Sequence, residues 1–544
     1  MLTCHDHLPY DLSSFQASLV SVLEQEGVPV EAVVVDARGS GAPPDFLPAA
    51  YAADGRVIHL PGDHPDRAAR HSAALRHANG DWILLIDNEP ANVVLRRWAV
   101  RAMLMAARRR RRAGLVYADY CRVDGEARRA VHLLDHHPGR LRETFDTGPV
   151  LLLPVRALRE AGGVNPRFKI ADLYDLRLRI AERYDLVHLG AGRDGELYEV
   201  HAPAAGHDVF DYLLADRAAQ AEFEQALTGH LQRTGAWLDP DLPLRRVTYT
   251  PTQEERFRQC RASVVIPVNR RPEFIGTAIE SALAQTVPEI EVIVVVNGGE
   301  ADPTTEAVQA YLPGGSRHDP AAPPVRLLVL DVNNIGLCLN AGIEAARGKY
   351  YVQLDSDDRL KPDAVERLLA VLDSDPGTGM VIGSYEVWEL DPATGRASRR
   401  ADLPVVRHEE WKPDNGRNNL LRTNGAGAPR AAHIKVIREV GGFGLNDDPH
   451  CRNYGEDYDL VLRISERYRI GRVTEPVYDV VRHSGGTDHT IDQATIDRND
   501  NAKDHLRRQA LRRRQALNRR QARRRALSRT AQSTGRKPGD RSTQ

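Results

Sequence analysis

"ASVVIPVNRRPEFIGTAIESALAQTVPEIEVIVVVNGG", residues 262–299, begins and ends in runs of Val and Ile. Short, nearly continuous β-branched runs closed by Asn, Gly or Pro read as strands buried on both faces. Between them, Pro272 at the start of "PEFIGTAIESAL" suits the first turn of a helix. Strand, helix and second buried strand predict an α/β module with a mostly parallel sheet and helices on both faces.

The same pattern occurs earlier in the chain. "SVLEQEGVPVEAVVVDARG" (21–39) lies over "SALAQTVPEIEVIVVVNGG" (281–299) without a gap. "GDWILLIDNEP" (80–90) lies over "GKYYVQLDSDD" (348–358), and "YDLRLRIAERYDL" (174–186) over "YDLVLRISERYRI" (458–470). The double glycines of "REAGG" (159–163) and "REVGG" (438–442) also correspond. Collinear matches of this kind indicate two copies of one module. "HDVFDYLLADRAAQAEFEQALTGHLQRTG" (207–235) has helical periodicity and few breakers. The expected organisation is a first module at 1–205, a helical connector at 206–258, a second module at 259–490 and a basic helical or disordered tail at 491–544.

"GKYYVQLDSDDRL" (348–360) sets three carboxylates, Asp355, Asp357 and Asp358, at the end of an apolar run. Like charges so close repel one another unless a cation or hydrogen bonds hold them. Two readings stand: a turn capping the next helix, or a site for a hard divalent cation. A second acidic pair, Glu456 and Asp457, lies in "NYGEDYDLVLR" (453–463), and His483 follows the last strand-like run in "VYDVVRHSGGTDH" (477–489).

Taken in order, these motifs resemble glycosyltransferase family 2, over roughly residues 262–485. The resemblance implies the GT-A fold, with the first module as a degenerate GT-A-like copy. It implies a nucleotide-sugar donor, a UDP-sugar by preference, bound near Pro267, Asn297, Asp355 and the asparagine-glycine loop of Asn334 and Gly336. It further implies a divalent cation, Mn²⁺ or Mg²⁺, on Asp355, Asp357 and His483, with Asp457 as general base and Glu456 orienting the acceptor. The activity so implied is inverting transfer of a sugar to a hydroxyl of a glycan or lipid-linked acceptor, in cell-surface glycan or polysaccharide synthesis. There are departures. Val296 and Asn297 stand where the family often has a base-reading aspartate, and Cys338 and Leu339 where many members have Ala-Arg. In the first module Asp87, Asn88 and Glu89 match the acidic triplet and could hold a cation weakly, but Leu173 stands opposite Asp457 and cannot accept a proton. Asp36, opposite Val296, reads as an exposed strand-end aspartate.

Composition bounds the alternatives. The chain has 544 residues and a formal net charge of −1, yet residues 503–541 hold fifteen Lys/Arg against two Asp, so the body is acidic and the tail basic. That tail reads as a solvated helix, a disordered segment, a nucleic-acid contact or a patch for anionic membrane; it has no aromatics to stack on bases, which counts against nucleic acid. The five cysteines (Cys4, Cys121, Cys260, Cys338, Cys451) form no CxxC pair. They suggest neither a disulfide framework nor a zinc site, and a cytoplasmic setting is expected, at most peripheral to the inner membrane face. Two rival functions remain: a non-catalytic glycan- or nucleotide-binding protein anchored by its tail, and a nucleotidyltransferase, which lacks its glycine-rich phosphate loop.

Overall fold

The computed structural model describes residues 1–4, 9–38, 45–51, 54–190, 195–202, 217–241, 244–409, 416–423, 427–445, 453–483 and 492–533, the last five without their side chains. The beginning of the expected connector, the residues after His483 in its motif and the end of the tail lie outside these ranges. The chain divides into two compact units, Met1–Thr234 and Gly235–Gln544.

In the second unit the opening stretch forms β1 (Ala262–Val268), α1 (Pro272–Leu283) and β2 (Ile290–Val296). Every residue of both strands is buried, and they pair in parallel from Ala262↔Ile290 to Val268↔Val296. Their one acid is provided for: Glu291 accepts from Ser263 Oγ at 2.7 Å and pairs with Arg326 at 2.9 Å. Helix α1 lays Ile275, Ala278, Ile279 and Ala282 on the sheet, an i, i+3, i+4, i+7 stripe. Each isoleucine so buried contributes about 1.5–3 kcal/mol. There follow β3 (Val325–Val329), α2 (Ile335–Ala345), β4 (Tyr350–Gln353), β5 (Arg359–Leu360), α3 (Ala364–Ser374), β6 (Thr378–Leu390), β7 (Arg430–His433), α4 (Glu456–Ser465), β8 (Arg469–Arg482) and α5 (Gln493–Ser533).

The sheet runs β3-β2-β1-β4-β7-β6-β8-β5, with Ala397–Arg399 paired to β6. The first four strands are parallel and β7 enters antiparallel to β4 and β6. Successive strands step outward from β1 to β3, and β4 then returns to the other side of β1. A crevice outside the carboxyl ends of β1 and β4 is the position where open α/β sheets bind ligands.

The first unit has the parallel strands Leu2–Cys4, Ala32–Asp36 and Val57–Pro61. A second sheet runs Trp82–Ile86, Val150–Pro154, Ala113–Ala118, Asp185–Leu189. The Met1 amino group donates to Leu84 O at 2.9 Å, linking the two sheets in the order seen in the second unit. The helix Arg217–Thr234 belongs to this unit and does not act as a separate connector: Phe223 packs edge-on against Tyr174, and His230 and Arg233 bind Glu182.

In the segment expected as a basic helical or disordered tail, Gln493–Ser533 is helical. Helix α5 buries Ala502, Asp504, Leu506, Arg507, Ala510, Leu511 and Arg514 in the second unit. Arg507 pairs with Asp504 and lies over the Tyr458 ring of α4, and Arg514 donates to Arg417 O. From Arg519 to Ser528 the helix is largely exposed.

Candidate functional site

Each of the three carboxylates after β4 has a different task. The Asp355 N–H donates to Tyr478 Oη at 3.0 Å, and its Oδ1 accepts from Gln353 Nε2 at 3.0 Å. Burial raises the Asp355 carboxyl above the usual range although Arg430 opposes it. Asp358 closes the turn through its N–H to Asp355 O, and its Oδ1 accepts from Val481 N–H at 2.8 Å, fastening β8. Burial first, then Asp357 and Asp355, push it well above the usual range. Neither is a simple helix cap. Asp357 Oδ2 lies 3.0 Å from His483 Nε2 and accepts from the Arg271 guanidinium. His483 is steadied by the Phe274 ring of α1, 4.2 Å between centroids.

The second acidic pair opens α4, whose N-cap Gly455 takes the left-handed conformation (φ +78°). Glu456 is buried, and burial followed by the Asp457 charge pushes it up to about 8. Asp457 Oδ2 lies 3.1 Å from Arg430 Nη1. Burial would lower the Arg430 guanidinium, but Asp457 and Asp355 outweigh it and hold it raised. Arg430 Nε also donates to Gln353 Oε1 at 3.3 Å, which accepts from Tyr351 Oη at 2.9 Å as well. Gln353 therefore joins the pairs, contacting Asp355 with its amide nitrogen and Arg430 with its oxygen. The sequence reading singled out neither Gln353 nor Arg430. The amide that interrupts the buried run "YYVQL" was a usable signal; Arg430, in a short strand after Pro429, gave none.

The residues assigned to the nucleotide form a neighbouring network. Pro267 sits inside β1, opposite Val295. Asn297 N–H donates to Val268 O at 3.0 Å and its Nδ2 to Asn333 Oδ1 at 3.4 Å, while its buried Oδ1 has no hydrogen-bond partner. Asn334 caps α2, accepting from Leu337 N–H, and donates to Leu445 O at 2.8 Å. Gly336 is required by close approach, since a Cβ there would stand 2.1 Å from Gly444 O. Asn453 Nδ2 reaches Asn333 Oδ1 at 3.1 Å and its Oδ1 accepts from Ile335 N–H, tying this network to the segment leading into α4. Asn334 and Gly336 thus position the 444–445 backbone.

The matching positions of the first unit carry different chemistry. Asp87 lies 3.1 Å from Arg67 Nη1, Glu89 is held by Arg70 through two bonds of 2.8 Å, and Asn88 exchanges bonds with the Thr3 backbone. Asp172, opposite Glu456, binds Arg67 and His71, each at 2.7 Å. Within this triplet, guanidinium groups pair with both carboxylates, Asp87 and Glu89. Leu173 packs against the core. Asp36 is fully buried and paired with Arg38 at 2.9 Å and His59 at 3.1 Å, so it is no exposed strand end.

Residues 263–439 match the family model "Glycosyl transferase family 2". Among curated relatives, the succinoglycan biosynthesis protein ExoO of Rhizobium meliloti is 38% identical over 140 residues, 26% of this chain and 37% of that protein. A chondroitin synthase of Pasteurella multocida is 28% identical over 225 residues, 41% of this chain and 21% of the synthase. The chain therefore spans about a fifth to two fifths of the length of these relatives. The solved S. aureus TarS 1–349 with UDP-GlcNAc is 17% identical over 42% of this chain and 60% of that one, at a TM-score of 0.32. Residues 263–439 are thus similar to glycosyl transferase family 2, within the second unit.

Proposed function

We propose that the second unit is an inverting, metal-dependent glycosyltransferase that moves a sugar from a nucleotide-sugar, a UDP-sugar by preference, to a hydroxyl of a glycan or lipid-linked acceptor. The match of residues 263–439 to the family model and the names of the polysaccharide-assembling relatives support the class of activity and a role in cell-surface glycan synthesis. The observation that carries the reading is the pairing of Asp357 with His483 on one side of Gln353–Arg430 and of Glu456 with Asp457 on the other.

Oxygen and imidazole donors side by side suit Mn²⁺ or Mg²⁺, which shares a few protein ligands with substrate phosphates. Among the described residues no three acidic, His or Cys side chains form a ready-made metal cluster, so Asp357 and His483 would hold the ion, with Asp355 nearby. When bound, the ion would neutralise charge on the leaving diphosphate.

The acidic pair divides the remaining work. Glu456 stays largely protonated at neutral pH and can donate a hydrogen bond to the acceptor. Asp457, facing the Arg430 charge, accepts the acceptor's proton as its oxygen bonds to the anomeric carbon and the bond to the diphosphate breaks. Environments that set two carboxyls apart in this way mark acid and base roles. The first unit, its carboxylates held by Arg67, Arg70 and His71, is a degenerate, catalytically silent copy of the module.

Calorimetry of UDP with the intact chain tests the reading. Tight binding in Mn²⁺, lost in chelator and in Asp357→Ala, is expected; equal affinity with and without the ion would remove the metal site.

A further inference from the structure

Asp357 presents one oxygen to two partners. Oδ2 lies against His483 Nε2 and also accepts from the Arg271 guanidinium. A divalent cation seated on that oxygen, between Asp357 and His483, would compete with Arg271 for its electron density. Two positive centres cannot share that oxygen without strong repulsion.

Arg271 is brought there by a braced backbone. Arg270, just before it, takes a left-handed conformation (φ +50°) that is costly for a residue with a long side chain. Its N–H donates to Asp302 Oδ2 at 2.8 Å, and the Arg271 N–H donates to Thr304 Oγ1 at 2.9 Å. Both acceptors are buried. A side chain at Gly298 would place its Cβ 2.2 Å from Asp302 Oδ2, so the glycine keeps that carboxylate's place open. The strain and its supports converge on the aim of one guanidinium, which remains 21% exposed and able to turn.

We propose that Arg271 is an exchangeable counter-cation of the donor site: it neutralises Asp357 in the ligand-free protein, yields that carboxylate to the divalent cation, and turns to the diphosphate of the nucleotide. The proposal rests on the metal-dependent reading above and adds a coupling to it. The metal alone must displace a guanidinium. The nucleotide offers that guanidinium a new anionic partner matching its fork of donors. Each ligand therefore strengthens binding of the other, by the same factor in both directions.

Calorimetry on the full-length chain decides, with Mn²⁺ alone and with UDP in saturating Mn²⁺, for wild type, Arg271→Gln and Arg271→Lys. In Arg271→Gln, Mn²⁺ alone should bind about tenfold more tightly and UDP about tenfold more weakly, the scale of one charge-assisted hydrogen bond in each direction. Arg271→Lys, which keeps the charge without the fork, should lie between and guards against a folding defect. Equal Mn²⁺ affinity in wild type and Arg271→Gln overturns the exchange while leaving the metal site standing. Unchanged UDP affinity overturns the turn toward the diphosphate. If no chain binds Mn²⁺, with or without UDP, the metal-dependent reading falls and the exchange with it.

Discussion

At the scale of single residues, Glu456 and Asp457 adjoin one another and are set apart by their neighbours: one is buried beside a negative charge, the other lies against Arg430. Asp457→Asn should leave UDP affinity nearly intact and lower transfer by about 10²–10⁴, the usual contribution of a general base. Product formation under single-turnover conditions measures this, and wild-type turnover in the variant would assign the proton to another group. Glu456 yields a prediction about stability. Its carboxyl is raised from 4.5 to about 8 in the folded protein, so between those values the folded chain holds a proton that the unfolded chain has released. Stability from this group is full below about pH 4.5 and falls as pH rises toward 8. In chelator, Glu456→Gln should therefore melt increasingly higher than wild type as pH goes from 5 to 8, and parallel melting curves would argue that Glu456 ionises freely.

At the scale of elements, α5 has two halves that the charge count merged, one buried and one exposed. Its first half packs against the second unit, where Asp504 and Arg507 are both fully buried and 2.5 Å apart. Breaking such a pair costs about 3–5 kcal/mol, because the remaining charge stays buried. Asp504→Ala and truncation after residue 502 should both lower the melting temperature sharply, whereas truncation after residue 518 should not. Loss of Arg519, Arg520, Arg523, Arg524 and Arg525 should instead weaken salt-sensitive sedimentation with anionic vesicles, each basic residue near such a surface being worth about 1 kcal/mol. If the shorter truncation sediments as fully as the intact chain, the exposed half is no membrane contact. The buried stripe was present in the sequence as Ala502, Leu506, Ala510 and Leu511 at helical spacing, but Arg507 and Arg514 on the same face made it read as solvated. Strands β1 and β2 were legible because unbroken Val-Ile runs between Pro and Gly admit few other structures. The acidic motifs were legible from their order. The Arg271–Asp357 and Arg430–Asp457 contacts were not, since they join residues far apart in sequence and leave no local periodicity.

At the scale of the whole molecule, the two units share a strand order and differ in what faces their carboxylates. In the first, Arg67, Arg70 and His71 all come from the helix Arg67–His77, and they hold Asp87, Glu89 and Asp172 from within. In the second, the equivalent helix α2 presents Ile335, Cys338 and Leu339 at those positions, leaving the acids to His483, Arg271 and Arg430, which come from other elements. A guanidinium fixed by two carboxylates of its own unit cannot easily be displaced by a cation, because both anions would have to be re-partnered at once. One unit is therefore self-neutralised and one is open to exchange. Titration of the intact chain with UDP in Mn²⁺ should saturate at one equivalent, and Asp357→Ala should abolish all of it. A second equivalent that survives in Asp357→Ala would place a working nucleotide site in the first unit, despite Leu173, and Asp87→Ala would then be the substitution that removes it.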